Sequence, residues 1–115
     1  MKQGADPIDL SIARALAERV GRALGDRVRR VILFGSRARG EASPDSDFDL
    51  LVVLRDLTPA EERPLRLSLY RALRGAGVTA EPWLMAEEEF EETKSVVGGL
   101  AHPAVNEGVL LYENA

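Results

Sequence analysis

With 115 residues, 45% of them apolar, the chain has the length and burial capacity of one domain, read here as residues 1–115, and not the composition of a fibre or a disordered segment. A net charge of −4 names no partner by itself, and the absence of cysteine excludes disulfides, zinc–thiolate sites and cysteine nucleophiles, so any metal must be held by oxygen ligands. The charge is unevenly spread: residues 1–40 carry nine Lys/Arg against four Asp/Glu and residues 81–115 carry one against eight, which suits a small anionic ligand and argues against a broad nucleic-acid footprint.

The opening stretch MKQGADPIDLS has no apolar signal core, and no apolar run nears the roughly 20 residues of a membrane span, so a cytoplasmic protein without a membrane partner is expected. Asp6-Pro7 reads as an N-cap followed by proline at the first helical position, and Ile8, Ile12, Leu16, Val20 and Leu24 recur every fourth residue. The spacing predicts a helix over 7–24 that ends at Gly25. Val28, Val31, Ile32, Leu33 and Phe34 then form a short apolar run between Gly25-Asp26 and Gly35-Ser36, the pattern of a buried strand. Residues 35–46 are rich in turn formers.

Phe48 and Leu50 to Leu54 make a second apolar run, broken near its start by Asp47 and Asp49. Thr58-Pro59 starts a helix over about 59–75 with Leu65, Leu69, Ala72 and Leu73 inward, and Pro64 delays or bends its first turns. Gly75-Ala76-Gly77 stops it. Val78 to Met85 reads as a third strand whose Pro82 requires an edge position or a bulge. Glu87 to Glu92 begins an acidic helix with Phe90, Val96 and Val97 as apolar contacts and Gly98-Gly99 as its break, and Val109 to Tyr112 is a last short strand. His102 before Pro103 reads as a loop histidine without a role, Trp83 as core or interface packing, and Glu87-Glu88-Glu89 as a solvated helix start. The result is an α/β chain of the α+β type, a small mixed sheet flanked by helices.

Two acids at the head of a core strand need a reason. Strand side chains alternate, so Asp47 and Asp49 face the same way with Cα atoms about 7 Å apart, and their carboxylates can converge. Burying two adjacent carboxylates unpaired costs several kcal/mol, and a divalent cation removes the penalty. Oxygen ligands of this kind favour Mg²⁺ or Mn²⁺, and Mg²⁺ is usually shared between one or two carboxylates and substrate phosphates. Gly35 lets backbone approach such a phosphate, Ser36 supplies a hydroxyl and an N–H, and Arg37 and Arg39 offer charge-assisted contacts to a triphosphate.

Gly35-Ser36, ten intervening residues and Asp47-Phe48-Asp49, set in FGSRARGEA and SDFDLLV, resemble the signature of the minimal nucleotidyltransferases, a branch of the DNA polymerase beta-like superfamily. That resemblance implies the nucleotidyltransferase fold, ATP or another NTP bound with two Mg²⁺ ions, and transfer of a nucleoside monophosphate to an acceptor hydroxyl. It also implies a third acid on a neighbouring strand, acting as metal ligand and base, for which Glu81 is the candidate where the family usually has aspartate. Family members of this size often stand beside a helical HEPN-domain toxin as its antitoxin, some by adding AMP to a toxin tyrosine. The expected function is therefore AMP transfer to a HEPN partner protein. A non-catalytic antitoxin acting by contact is the alternative, and an aminoglycoside-type small-molecule nucleotidyltransferase is the weaker one.

Overall fold

The first helix, α1 (Pro7–Leu24), begins where the capping signal lies: the Asp6 carboxylate accepts the Ile8 N–H at 2.8 Å and Pro7 occupies the first turn. Its buried stripe is Ala13, Leu16, Ala17 and Val20, whereas Ile8 is 71% exposed. A step of four residues overshoots a full turn by about 40°, so an every-fourth series drifts off any single face, and the small alanines fill the rows between.

The computed structural model describes residues 4–97, 99 and 101–114. After α1 and a 3-10 turn at Gly25–Arg27 come β1 (Val28–Phe34), a one-turn helix α2 (Ser36–Arg39) and β2 (Phe48–Leu54). The chain continues through α3 (Pro59–Leu73), β3 (Ala80–Ala86), α4 (Glu87–Thr93), α5 (Ala101–Glu107) and β4 (Val109–Glu113). The four strands form one mixed sheet in the order β3-β2-β1-β4, with β2 parallel to β3 and β1 antiparallel to both β2 and β4. Helix α3 is the crossover that a parallel β2–β3 pair requires. β3 is an edge strand, which resolves the difficulty posed by Pro82.

β2 lies inside the sheet with helices on both faces. Phe48, Leu50, Val52 and Leu54 join Leu16 and Val20 of α1 and Leu69 and Leu73 of α3 in the larger core. Leu51 and Val53 point the other way, into a smaller core with Ile32, Met85, Phe90, Ala101 and Ala104. Full burial of each large side chain is worth about 1.5–3 kcal/mol, so this strand needs apolar residues at nearly every position. Asp49 is the one residue of β2 that is not buried.

Three expectations are corrected. His102 and Pro103 belong to α5, not to a loop; a seven-residue helix starting near proline has too little periodicity to be read from sequence. Val96 and Val97 lie beyond α4 and are 50% and 84% exposed, so they are not its apolar contacts, and Phe90 alone of the three is buried. Pro64 does not delay α3, which starts at Pro59 and runs through it at the cost of one helical hydrogen bond. The proposed break at Gly98 lies outside the described residues. Among the described residues no helix is long and apolar enough to cross a membrane.

The start of α3 is tied to the turn before β1. The Glu61 carboxylate accepts from the Thr58 N–H at 3.1 Å and from Arg27 Nη1 at 2.8 Å, while Arg27 Nη2 also reaches the Asp56 carbonyl. The Arg27 hydrogen bond, with the Thr58 donors behind it, holds the Glu61 carboxyl down to about 2. A carboxyl lowered on folding adds stability above its unfolded pKa and loses it as pH falls through the folded one. Arg27→Gln should therefore be less stable than wild type above about pH 4.5, with the gap narrowing towards pH 2, as read from urea unfolding across that range.

Candidate active site

β1 and β2 present Phe34 and Asp49 to each other as register partners, and Gly35 follows where the chain leaves the sheet. Gly35 has φ 79° and ψ −159°, a region that essentially only glycine occupies. A Cβ on Gly35 would stand 2.5 Å from Asp49 Oδ2. The carboxylate thus occupies the space that the missing side chain leaves. Beyond Gly35, the Ala38 and Arg39 N–H groups return to the Gly35 carbonyl at 3.1 and 3.2 Å, closing α2 and leaving the N–H groups of Ser36 and Arg37 ahead of its first bond.

Asp49 is half-buried, and its pKa is raised: burial contributes most, Asp47 and Glu81 add to it, and a hydrogen bond from Trp83 and the charge of Arg39 oppose it. Glu81 is the register partner of Asp49 on β3, so the sheet itself places the two acids side by side. Asp47 stands one residue before β2 and is exposed. Among the described residues no three acidic or histidine side chains are gathered into a ready-made cation cage. The donor set nonetheless suits Mg²⁺, which is usually held by one or two carboxylates with phosphate oxygens completing the shell. The desolvated Asp49 beside two like charges is the group a cation would relieve most.

The two arginines have different surroundings. Arg37 spends its guanidinium on the protein: Nη1 meets Asp9 Oδ1 at 3.2 Å, Nη2 donates to the Ser46 carbonyl at 2.9 Å and to the Pro44 carbonyl at 3.3 Å, and the group lies 4.5 Å over the Phe48 ring. It clamps the loop that delivers Asp47. Arg39 is 39% exposed, pairs with Glu41 at 2.6 Å and with Glu107 of α5 at 2.8 Å, and its field reaches Asp49. Of the two it has the more accessible charge.

Two further residues belong to the site that the sequence did not assign to it. The Tyr70 hydroxyl on α3 donates to Glu81 Oε1 at 2.6 Å. Trp83, 41% exposed and so not a core residue, sets its ring edge-on to Phe34 with centroids 6.3 Å apart, and its indole opposes the rise in the Asp49 pKa. Trp83 could have been found, because it shares a strand face with Glu81 two residues away. Tyr70 carried no signal, since only the packing of α3 brings it to β3.

A glycine-serine turn at the end of a strand faces acids at the head of the next on an α+β sheet. The chain matches the nucleotidyltransferase domain family over residues 12–99, and it belongs to that family. It is 33% identical over 54 residues to a Methanocaldococcus jannaschii protein provisionally named a protein adenylyltransferase; the match covers 47% of this chain and only about half, 54%, of that relative. Its fold is similar to that of a Sulfolobus solfataricus protein assigned provisionally as a nucleotidyltransferase, with TM-score 0.65 and 23% identity over 93% of this chain and 82% of that one. It is also similar to a chain from a complex of the tri-AMPylated Shewanella oneidensis HEPN toxin with an MNT antitoxin, at TM-score 0.55 and 20% identity over 91% and 73% of the two chains.

Replacing Gly35 by alanine forces both the backbone and Asp49 to move, so Gly35→Ala should lose about 1–3 kcal/mol in urea unfolding. Asp49→Asn removes a desolvated charge from beside two others and should raise Tm in metal-free buffer at pH 7, by calorimetry, while abolishing any Tm increase that Mg²⁺ gives wild type.

Proposed function

We propose that this domain is an Mg²⁺-dependent nucleotidyltransferase that moves AMP from ATP to a hydroxyl of a separate protein, a HEPN-type partner being the acceptor that fits best. The observation that carries this reading is the close approach of the Asp49 carboxylate to Gly35, which sets an acid directly against a strand-end glycine turn. Asp47 and Asp49 would hold the cations, with Glu81 completing the set, while Gly35 and Ser36 would seat the triphosphate and Arg39 would add charge. Arg37 serves the same site from behind, by fixing the loop before Asp47. The similarity to a toxin–antitoxin complex whose toxin carries AMP supports the choice of acceptor class.

When bound, two Mg²⁺ ions would neutralise the phosphates and sharpen the attacking oxygen. The acceptor oxygen forms a bond to the α-phosphorus, the bond to the β-phosphate oxygen breaks, pyrophosphate departs, and the hydroxyl proton passes to Glu81. Nothing in this scheme needs an oxidant or a second substrate beyond ATP and the acceptor.

A second reading, a non-catalytic antitoxin that acts by contact, draws support from the lack of a preassembled three-acid cage among the described residues. Incubating the chain with labelled ATP, Mg²⁺ and the HEPN partner separates the two. Label should appear on the partner and fall to background with Asp47→Asn/Asp49→Asn. No transfer by wild type, together with undiminished neutralisation by the double variant, would establish the contact reading instead.

A further inference from the structure

Glutamate at position 81 has one more rotatable bond than aspartate, and its terminal torsion is broad, so a free Glu81 would sample many carboxylate positions. Each position that must be frozen when a cation binds costs side-chain entropy. The structure contains a device that removes this freedom. Tyr70 donates its hydroxyl to Glu81 Oε1 at 2.6 Å, a length typical of a charge-assisted bond. Tyr70 itself is placed by a rigid support: Leu69 and Leu73 on the same helix are 0% and 4% exposed, and Arg19 of α1 holds the end of that helix through the Ala72 and Arg74 carbonyls at 3.1 Å.

We propose that Tyr70 is a positioning residue for the carboxylate set: by holding Oε1 of Glu81 it leaves Oε2 as the oxygen offered to a cation beside Asp49. The inference rests on the metal-site reading of Asp47, Asp49 and Glu81 above. An acid that gives one oxygen to a metal and the other to a neighbouring donor is a common arrangement, and loss of the outer donor typically weakens metal binding about 10–100-fold. The sheet register places Glu81 next to Asp49, and the tyrosine, not the strand, sets where its carboxylate stands.

Binding of Mn²⁺ alone, followed by electron paramagnetic resonance, tests this with wild type, Tyr70→Phe, Glu81→Asp and the double variant. Tyr70→Phe removes one hydroxyl and nothing from the core, so its metal-free Tm should stay close to wild type while Mn²⁺ affinity falls about 10–100-fold. Glu81→Asp draws the carboxylate back from the tyrosine. Adding Tyr70→Phe to it should therefore change Mn²⁺ affinity no further, and the Mg²⁺ concentration for half-maximal AMP transfer should shift in parallel with the KM for acceptor unmoved. Wild-type Mn²⁺ affinity in Tyr70→Phe, or effects of the two changes that simply add, would overturn the positioning role while leaving the metal site intact. Mn²⁺ binding absent from wild type, or equal in wild type and Asp49→Asn, would overturn the metal site and this inference with it.

Discussion

One carboxylate and one missing side chain depend on each other here. Asp49 can stand at the head of the inner strand β2 only because Gly35 leaves it room, and Gly35 can hold its backbone angles only because it has no Cβ. The cost is a half-buried negative charge with two more acids nearby, and burial pushes its pKa up. Apolar replacement would be the more stable solution, and the cation-holding role proposed above accounts for why the charge is there. Membership of the nucleotidyltransferase family is consistent with that use of the charge.

The rest of the fold supports this contact. β2 is apolar on both faces, so burial alone would tolerate a slip by one residue, and it is Asp49 that sets the register, because a slip would turn its carboxylate into the larger core. The two inner faces are served by different helices: α1 and α3 cover the larger core and α4 and α5 the smaller one. Asp49 and Glu81 share the face of the smaller core, at its rim, where half-burial permits a charged ligand to enter. Arg39 is anchored there by Glu107 of α5, so the helix that completes the smaller core also steadies the nearest positive charge.

Much of this was legible in the residues. The cap at Asp6, the turn at Gly35-Ser36, the paired acids and the edge character of the Pro82 strand all follow from local chemistry, because each depends on a residue's own backbone limits or on its immediate neighbours. What was misread depended on distance. Ile8 belongs to the every-fourth pattern of α1 yet stays exposed, since where the helix meets the sheet is decided by the sheet. Helix α5 is too short to announce itself. Arg37, expected at a phosphate, is instead drawn to the carbonyls of Ser46 and Pro44 and to Asp9, partners whose nearness only the folded loop creates.

By itself, then, the sequence determined the strand–turn–strand unit and the identity of its acids, because the freedom of a glycine backbone and the charge of two carboxylates in an apolar run are properties of the residues themselves. Tertiary structure decided how those groups are held. It set Asp49 over Gly35, set Glu81 beside Asp49 across a parallel pair of strands, and brought Tyr70 from α3 to Glu81. These contacts join elements separated by a crossover helix, and periodicity along a chain carries no record of which side chains a crossover will bring together.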